Sequence, residues 1–172
     1  ASSELVGEAV KKAFFGPVRV SVMLDPNGSN TTAAAIARKV MTDYDITGKN
    51  VAILGAGPVG QRTALYLLKE GASKVTLPCR SMARSKATVE HMKKAYGVDV
   101  IPGETRSDEA VAALLKDAHV AIAAGPAGVC IVPEATWTAS KTLEVIADVN
   151  AVPPLGVEGM EVMDNGTEKQ GV

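Results

Sequence analysis

The residues best suited to do chemistry are glycines. "GAGPVG" at 55–60 is a G-x-G-x-x-G run that follows a short apolar stretch and opens a helical one. In that context, and not alone, it describes a strand–turn–helix that holds a pyrophosphate. Gly55 permits the tight turn, Gly57 lets the backbone approach the anion, and Gly60 lets helix and strand pack closely. Free N–H groups in the first helical turn point at the anion, and the helix dipole favours it. Pro58 costs little there, because its missing N–H would have no helical partner, and Val59 completes the turn. The alternative is a tight βα turn with no ligand. A second glycine-rich strand end, "AAGPAG" at 123–128, favours the ligand reading. Ligands of doubly wound sheets lie outside the carboxyl ends of the strands, at the switch point between the first and fourth.

In an NAD site, an Asp or Glu about 20 residues past the glycines bonds the ribose hydroxyls. Here no carboxylate occurs between Gly71 and Thr88. The next apolar stretch ends in "LPCRS" at 77–81, which supplies Arg80 and Ser81, and Arg84 and Lys86 follow. An acidic side chain would repel a ribose 2′-phosphate, whereas a guanidinium fork bonds it bidentately and stacks on adenine. The expected cofactor is therefore NADP. Arg80 and Ser81 read the phosphate, with Arg84 or Lys86 as a second cation. The alternative for these cations is a solvated basic helix start.

Such a site needs elements to position it. "VRVSVML" at 18–24 reads as a strand, "DPNGSN" at 25–30 as a turn, and 31–44 as a helix with Asn30 or Thr31 as its N-cap. Strands are then expected at 50–55, 74–79, 98–103, 119–125 and 142–150, with another short one near 160–163. Helices are expected at 58–71, 83–97 and 108–117, the last opened by Ser107, and 133–139 reads as a short helix or turn. The strands are nearly all apolar, as when both faces are covered. Strands and helices alternate, which predicts an α/β fold: a doubly wound parallel sheet, a Rossmann-type NADP-binding domain. Residues 1–44 read as an N-terminal segment with an interdomain helix, and 45–172 as the Rossmann domain.

Composition narrows the partners. At 172 residues the chain can bury a core without staples. A net charge of −1 gives no electrostatic case for nucleic acid or an anionic membrane, and no apolar run reaches the length of a span. The start, "ASSELVGEAVKKAFFGP", is amphipathic and unlike a secretory signal. Cys79 and Cys130 match no metal spacing, and His91 and His119 lie apart from them, so no metal site is expected. Two reduced thiols fit a cytoplasmic protein.

Four stretches together carry a resemblance: "FFGPVRVSVMLDPNGSNTTAAA", "GKNVAILGAGPVGQR", "CRS" and "IADVNAVPPLG". In this order, over almost the whole chain, they resemble the bacterial NADP-dependent methylene-tetrahydromethanopterin dehydrogenases, including relatives that use methylene-tetrahydrofolate. The resemblance implies hydride transfer from the methylene carbon of a C1-pterin to NADP, giving the methenyl-pterin and NADPH, in one-carbon metabolism. No catalytic acid or base is assigned, because the pterin nitrogen lone pair stabilises the developing cation. Carried over by position, Gly55, Gly57, Pro58, Val59 and Gly60 match the pyrophosphate turn, and Arg80 and Ser81 the 2′-phosphate site. Ala124, Gly125 and Pro126 match the loop near the nicotinamide ribose, and Asp148, Asn150 and Pro153 the strand end beside the nicotinamide. Asn27, Ser29, Asn30, Thr31 and Thr32 match a polar turn facing the pterin cleft. The alternative for that turn is plain helix capping, and for Asp148 a strand-end hydrogen bond that shapes the loop.

The resemblance also implies a longer protein, with an N-terminal α/β domain walling the pterin cleft and further C-terminal segments. This chain would hold the nucleotide-binding part, with a short strand–helix segment left from the catalytic domain. Two other readings stand beside it: the nucleotide domain of a shikimate dehydrogenase-like enzyme, and a non-catalytic NADP-binding or oligomerisation module. The exposed amphipathic start, with Phe14 and Phe15, points to a homo-oligomer.

Overall fold

Neighbouring residues of the first strand, β1 (Asn50–Leu54), serve opposite layers. Val51 and Ile53 join one buried cluster, while Ala52 and Leu54 join the other, as strand alternation requires. The computed structural model describes residues 2–172, with side chains from Leu5 onward; Ala1, first residue of the expected N-terminal segment, lies outside them. Four further strands follow: β2 (Lys74–Cys79), β3 (Ile101–Glu104), β4 (Val120–Ala123) and β5 (Val145–Asp148). They form one parallel sheet in the order β3-β2-β1-β4-β5. Strand order reverses between β1 and β4, which places the switch point beside Leu54 and Ala123, paired in register.

The helices are α1 (Ser2–Lys12), α2 (Ser29–Asp43), α3 (Pro58–Lys69), α4 (Met82–Tyr96), α5 (Asp108–Leu115) and α6 (Glu134–Thr138). One face of the sheet is covered by α2, α3 and α4, whose Val40, Leu67 and Met92 meet Val51, Val75 and Val120. The other face carries α5 and α6, with Leu115 and Trp137 over Ala121 and Ala123. Leu67 and Leu77 are both 0% exposed, and burying each contributes about 2–3 kcal/mol. The expected interdomain helix, α2, packs on α3 through a stripe of mostly small residues, Ser29, Ala33, Ala37 and Val40. At the amino ends of β1 and β5, the Tyr44 hydroxyl donates to Glu144, which also takes Lys49 Nζ at 2.9 Å. Those two hydrogen bonds hold the Glu144 carboxyl below the ordinary carboxylate range.

One buried hydroxyl links three elements. Ser85 of α4 donates from Oγ to the Leu77 carbonyl at 2.9 Å and accepts from the Gly103 N–H at 3.0 Å. It thereby ties β2 to the edge strand β3. Thr105 N–H donates back to the Cys79 carbonyl. By alternation the nitrogen of Pro102 faces the other way, toward the free edge.

Most expected elements form, with ends shifted by a few residues. Ser107 caps α5 by accepting from Ala110 N–H, as its sequence position predicts. Two expected strands do not form. Residues 18–24 take no regular secondary structure and pair with no strand among the described residues, and Val18, Val20 and Val22 are exposed. β-propensity expresses packing against neighbours, and this run has no neighbour to pair with. Near 160–163 the chain makes turns, and the only C-terminal pairing among the described residues is a parallel bridge between Val132 and Val157.

Candidate functional site

The three glycines of the turn have three different reasons. A Cβ on Gly55, where φ is +135°, would lie 2.3 Å from the Ala124 carbonyl oxygen. Gly55 therefore sets how closely the turn approaches the end of β4. A Cβ on Gly60 would lie 1.9 Å from the Gly55 carbonyl oxygen, so α3 packs on the turn only with glycine there. A Cβ on Gly57 would meet nothing within 4 Å. It would stand in open space on the side from which an anion approaches.

Pro58 begins α3 with Gly57 in extended backbone ahead of it. Gln61 closes the turn, donating from its backbone to Gly57 O at 2.9 Å and from Nε2 to Ala56 O at 2.8 Å. The N–H groups of Val59 and Gly60 are at helix positions with no intrahelical acceptor, and among the described residues no loop or side-chain acceptor takes them. Two outward N–H groups, a helix dipole and an uncrowded approach at Gly57 fit a pyrophosphate.

Arg80 follows β2 and is exposed, with no ion pair or hydrogen bond among the described residues. Ser81 is the N-cap of α4, yet its hydroxyl makes no capping bond. The first turn of α4 holds no acidic residue and carries Arg84 instead, which is exposed. Cations at a helix N-terminus work against the dipole, by about 0.3–1 kcal/mol each. An anion bound between them would reverse that sign, so this end also fits the expected 2′-phosphate.

Ala124, Gly125 and Pro126 leave the sheet beside Gly55, at the switch point. Asn150 is drawn to them, donating from Nδ2 to Gly125 O at 3.3 Å. Asp148 ends β5, and its carboxylate accepts three backbone N–H groups: Asn150 at 2.9 Å, Gly156 at 2.6 Å and Val157 at 3.3 Å. That carboxylate folds loop 149–156 back over the strand ends, the loop-shaping alternative in physical form. Pro153 is exposed within this loop.

The polar turn ahead of α2 differs from expectation in its cap. The helix begins at Ser29, and neither Asn30 nor Thr31 caps it. The cap is Asp25, which accepts the Asn30 N–H at 2.6 Å and, more weakly, the Thr31 N–H at 3.4 Å. The Thr31 hydroxyl donates to the other Asp25 oxygen at 2.6 Å, and this bond is the chief reason the Asp25 carboxyl lies below its ordinary range. A carboxylate four residues ahead of the helix is reached because Asn27 and Gly28 both turn left-handed, at φ 52° and 67°. Ser29 points inward, is 4% exposed, and its hydroxyl has no partner. Asn30 is half-buried and engaged on both sides, giving Nδ2 to Leu24 O at 2.7 Å and taking Arg62 Nε on its Oδ1. Asn27 is exposed and Thr32 half-buried, and neither side chain is engaged, so these two alone of the five are free to meet a ligand. Asp25, Gln61 and Arg62 escaped the sequence reading. The Asp-Pro-Asn-Gly spacing was the available signal for Asp25; nothing local marks Arg62.

A groove lined by Ile36, Tyr44, Ile146, Met160 and Val172 runs along the outer edge of β5, reaching this region only at Asp148. Among the described residues no group of three His, Cys, Asp or Glu side chains could hold a metal, and Cys79 and Cys130 are free thiols. No helix is long and apolar enough to cross a membrane.

Comparison with known proteins agrees with this geometry. The bifunctional protein MdtA of Methylorubrum extorquens is 44% identical over 174 residues, covering 99% of this chain and 60% of that protein. The NAD(P)-dependent methylenetetrahydromethanopterin dehydrogenase of the same organism is 37% identical over 162 residues, covering 90% of this chain and 54% of that protein. The chain thus spans between half and two thirds of the length of these relatives. The solved quinate dehydrogenase from Corynebacterium glutamicum, in complex with NAD, superposes with a TM-score of 0.55 at 22% identity, over 75% of this chain and 50% of that one, a likeness of fold. The family model described as shikimate / quinate 5-dehydrogenase matches residues 35–155, from the middle of α2 to the loop after β5. The chain belongs to the shikimate / quinate 5-dehydrogenase family and is a homologue of methylenetetrahydromethanopterin dehydrogenases.

Proposed function

We propose that this chain is the NADP-binding part of an oxidoreductase that moves hydride from a methylene-pterin, methylene-tetrahydromethanopterin or methylene-tetrahydrofolate, to NADP. The observation that carries the cofactor choice is the unpaired, exposed Arg80 beside the uncapped Ser81 hydroxyl. The named activity of one relative, the NAD(P)-dependent methylenetetrahydromethanopterin dehydrogenase, supports the substrate class. When bound, the nicotinamide accepts the hydride, and the substrate's ring nitrogen stabilises the cation left behind. This chain's residues bind, orient and exclude. Val59 and Gly60 N–H groups hold the pyrophosphate above Gly57, Arg80 and Ser81 hold the 2′-phosphate, and Arg84 adds charge. Ala124, Gly125 and Pro126 line the nicotinamide ribose, with Asn150 fixing their loop through Gly125 O. Asp148 shapes the floor beside the nicotinamide. Asn27 and Thr32 face the second substrate. Residues 1–44 serve as the N-terminal segment and interdomain helix of the domain at 45–172. The protein is cytoplasmic and homo-oligomeric in this reading.

Titration with NADPH and NADH, followed by cofactor fluorescence, tests the proposal. Arg80→Glu is expected to weaken NADPH binding by about 10–100-fold, the value of a charged hydrogen-bond pair, and NADH binding little. Equal native affinity for both cofactors would sink the NADP assignment, and a parallel loss of both in the variant would make Arg80 a folding residue. Absorbance after adding either methylene-pterin with NADP reads turnover directly.

A further inference from the structure

Arg62 has no part in the nucleotide reading above, yet it joins the two turns on which that reading depends. Its Nε donates to Asn30 Oδ1 and its Nη1 to the Pro58 carbonyl at 3.2 Å. No carboxylate lies within ion-pair distance of it among the described residues. Asn30 passes the connection on, through Nδ2 to Leu24 O and through its N–H to Asp25. Pro58 is the first residue of α3, directly before the two N–H groups assigned to the pyrophosphate. No backbone hydrogen bond joins residues 24–32 to residues 55–62 among the described residues. The helices touch lower down through Ala37, Ala64 and their neighbours. Arg62 is therefore the polar joint between the heads of α2 and α3. A guanidinium suits the task, because its fixed fork serves two acceptors at once.

We infer that Arg62 is a positioning residue that couples the nucleotide turn to the polar turn at 24–32, so that nucleotide binding orders the surface offered to the second substrate. The coupling rests on the NADP reading; the joint itself does not.

Amide hydrogen exchange, resolved by peptide and measured with and without NADPH, separates the two. In the native chain NADPH is expected to protect residues 24–32 as well as 55–61. In Arg62→Ala, protection at 55–61 persists and NADPH affinity stays within about threefold, while ligand-induced protection at 24–32 disappears. Without nucleotide, exchange at the Asn30 and Thr31 amides is expected to rise about tenfold, as for loss of one charged hydrogen bond. Asn30→Ala removes the joint from its other side and should lose the same protection. Native-like protection at 24–32 in both variants overturns the coupling. Loss of NADPH binding in Arg62→Ala would make Arg62 a direct ligand and overturn the positioning role. If the native chain bound no NADPH, the cofactor reading would fail alone. Nucleotide-free exchange would then decide, and an unchanged rate at 24–32 in both variants overturns the joint.

Discussion

Gly57 and Gly60 are three residues apart and answer to different masters. Gly60 is a packing residue: a Cβ there would sit 1.9 Å from the Gly55 carbonyl oxygen, and no flexible side chain can yield. Gly57 has no packing reason: its backbone is ordinary, and a methyl there touches nothing in the protein, which leaves the proposed pyrophosphate as its reason. Gly60→Ala is accordingly expected to cost at least about 3 kcal/mol of stability in urea unfolding. Gly57→Ala should stay within about 1 kcal/mol of native stability while weakening NADPH at least tenfold, because the methyl occupies the anion's approach. A folded Gly57→Ala that binds NADPH normally would remove the pyrophosphate from this turn. At this scale the sequence was informative where a residue's reason is local. The motif and the missing carboxylate after β2 needed only chain order. Arg62 did not yield, because its partner Asn30, thirty-two residues back, becomes a neighbour only in the fold; the loop-shaping role of Asp148 was legible, and only its acceptance of Gly156, eight residues on, needed the fold.

Helix heads and strand edges bring their own tests. Asp25 caps α2 as a carboxylate, and its pKa is lowered chiefly by the Thr31 hydroxyl, then by the Asn30 and Thr31 N–H groups and by Arg62, against an opposing effect of desolvation. A depressed carboxyl contributes fully above its unfolded value, near 3.8, and the contribution is lost as pH falls below that value toward the lowered folded one. Protection of the Asn30 amide relative to its intrinsic exchange rate should therefore fall through that acid window in the native chain, and be low and insensitive to it in Asp25→Ala. Ser85 is the corresponding device at the sheet edge. Ser85→Ala leaves the Leu77 carbonyl and Gly103 N–H without this partner and is expected to cost about 1–3 kcal/mol, read as a shifted urea midpoint with unchanged slope. The alternation of strands and helices was legible, because each strand carries its own apolar run. The run at 18–24 misled for the same reason: it has the composition of a strand and no partner among the described residues.

For the molecule as a whole, the apolar surface is unevenly distributed. Leu5, Val6, Phe15, Val18, Val20, Val22 and Met23 are all exposed, and among the described residues none before α2 belongs to either core cluster. A concentration of exposed apolar side chains in one segment marks an interaction site or an aggregation hazard. Removing residues 1–24 is expected to leave the thermal midpoint within about 2 °C and NADPH binding unchanged, since the core loses nothing. In sedimentation velocity the whole chain should self-associate with rising concentration and the shortened one should not; identical behaviour would remove this segment from any interface.

The two edges of the sheet are not equivalent. Strand addition needs a donor on the free edge, and at β3 the outward nitrogen of Pro102 has none to give. Two residues on, Glu104 sets a carboxylate, paired with Arg106, beside that same edge. The missing donor at Pro102 and the Glu104 carboxylate disfavour strand addition on the β3 side, which leaves β5 as the better edge for a partner strand. A single imino acid thus makes the two edges unequal, and end-to-end growth of sheet on sheet is disfavoured at one of them.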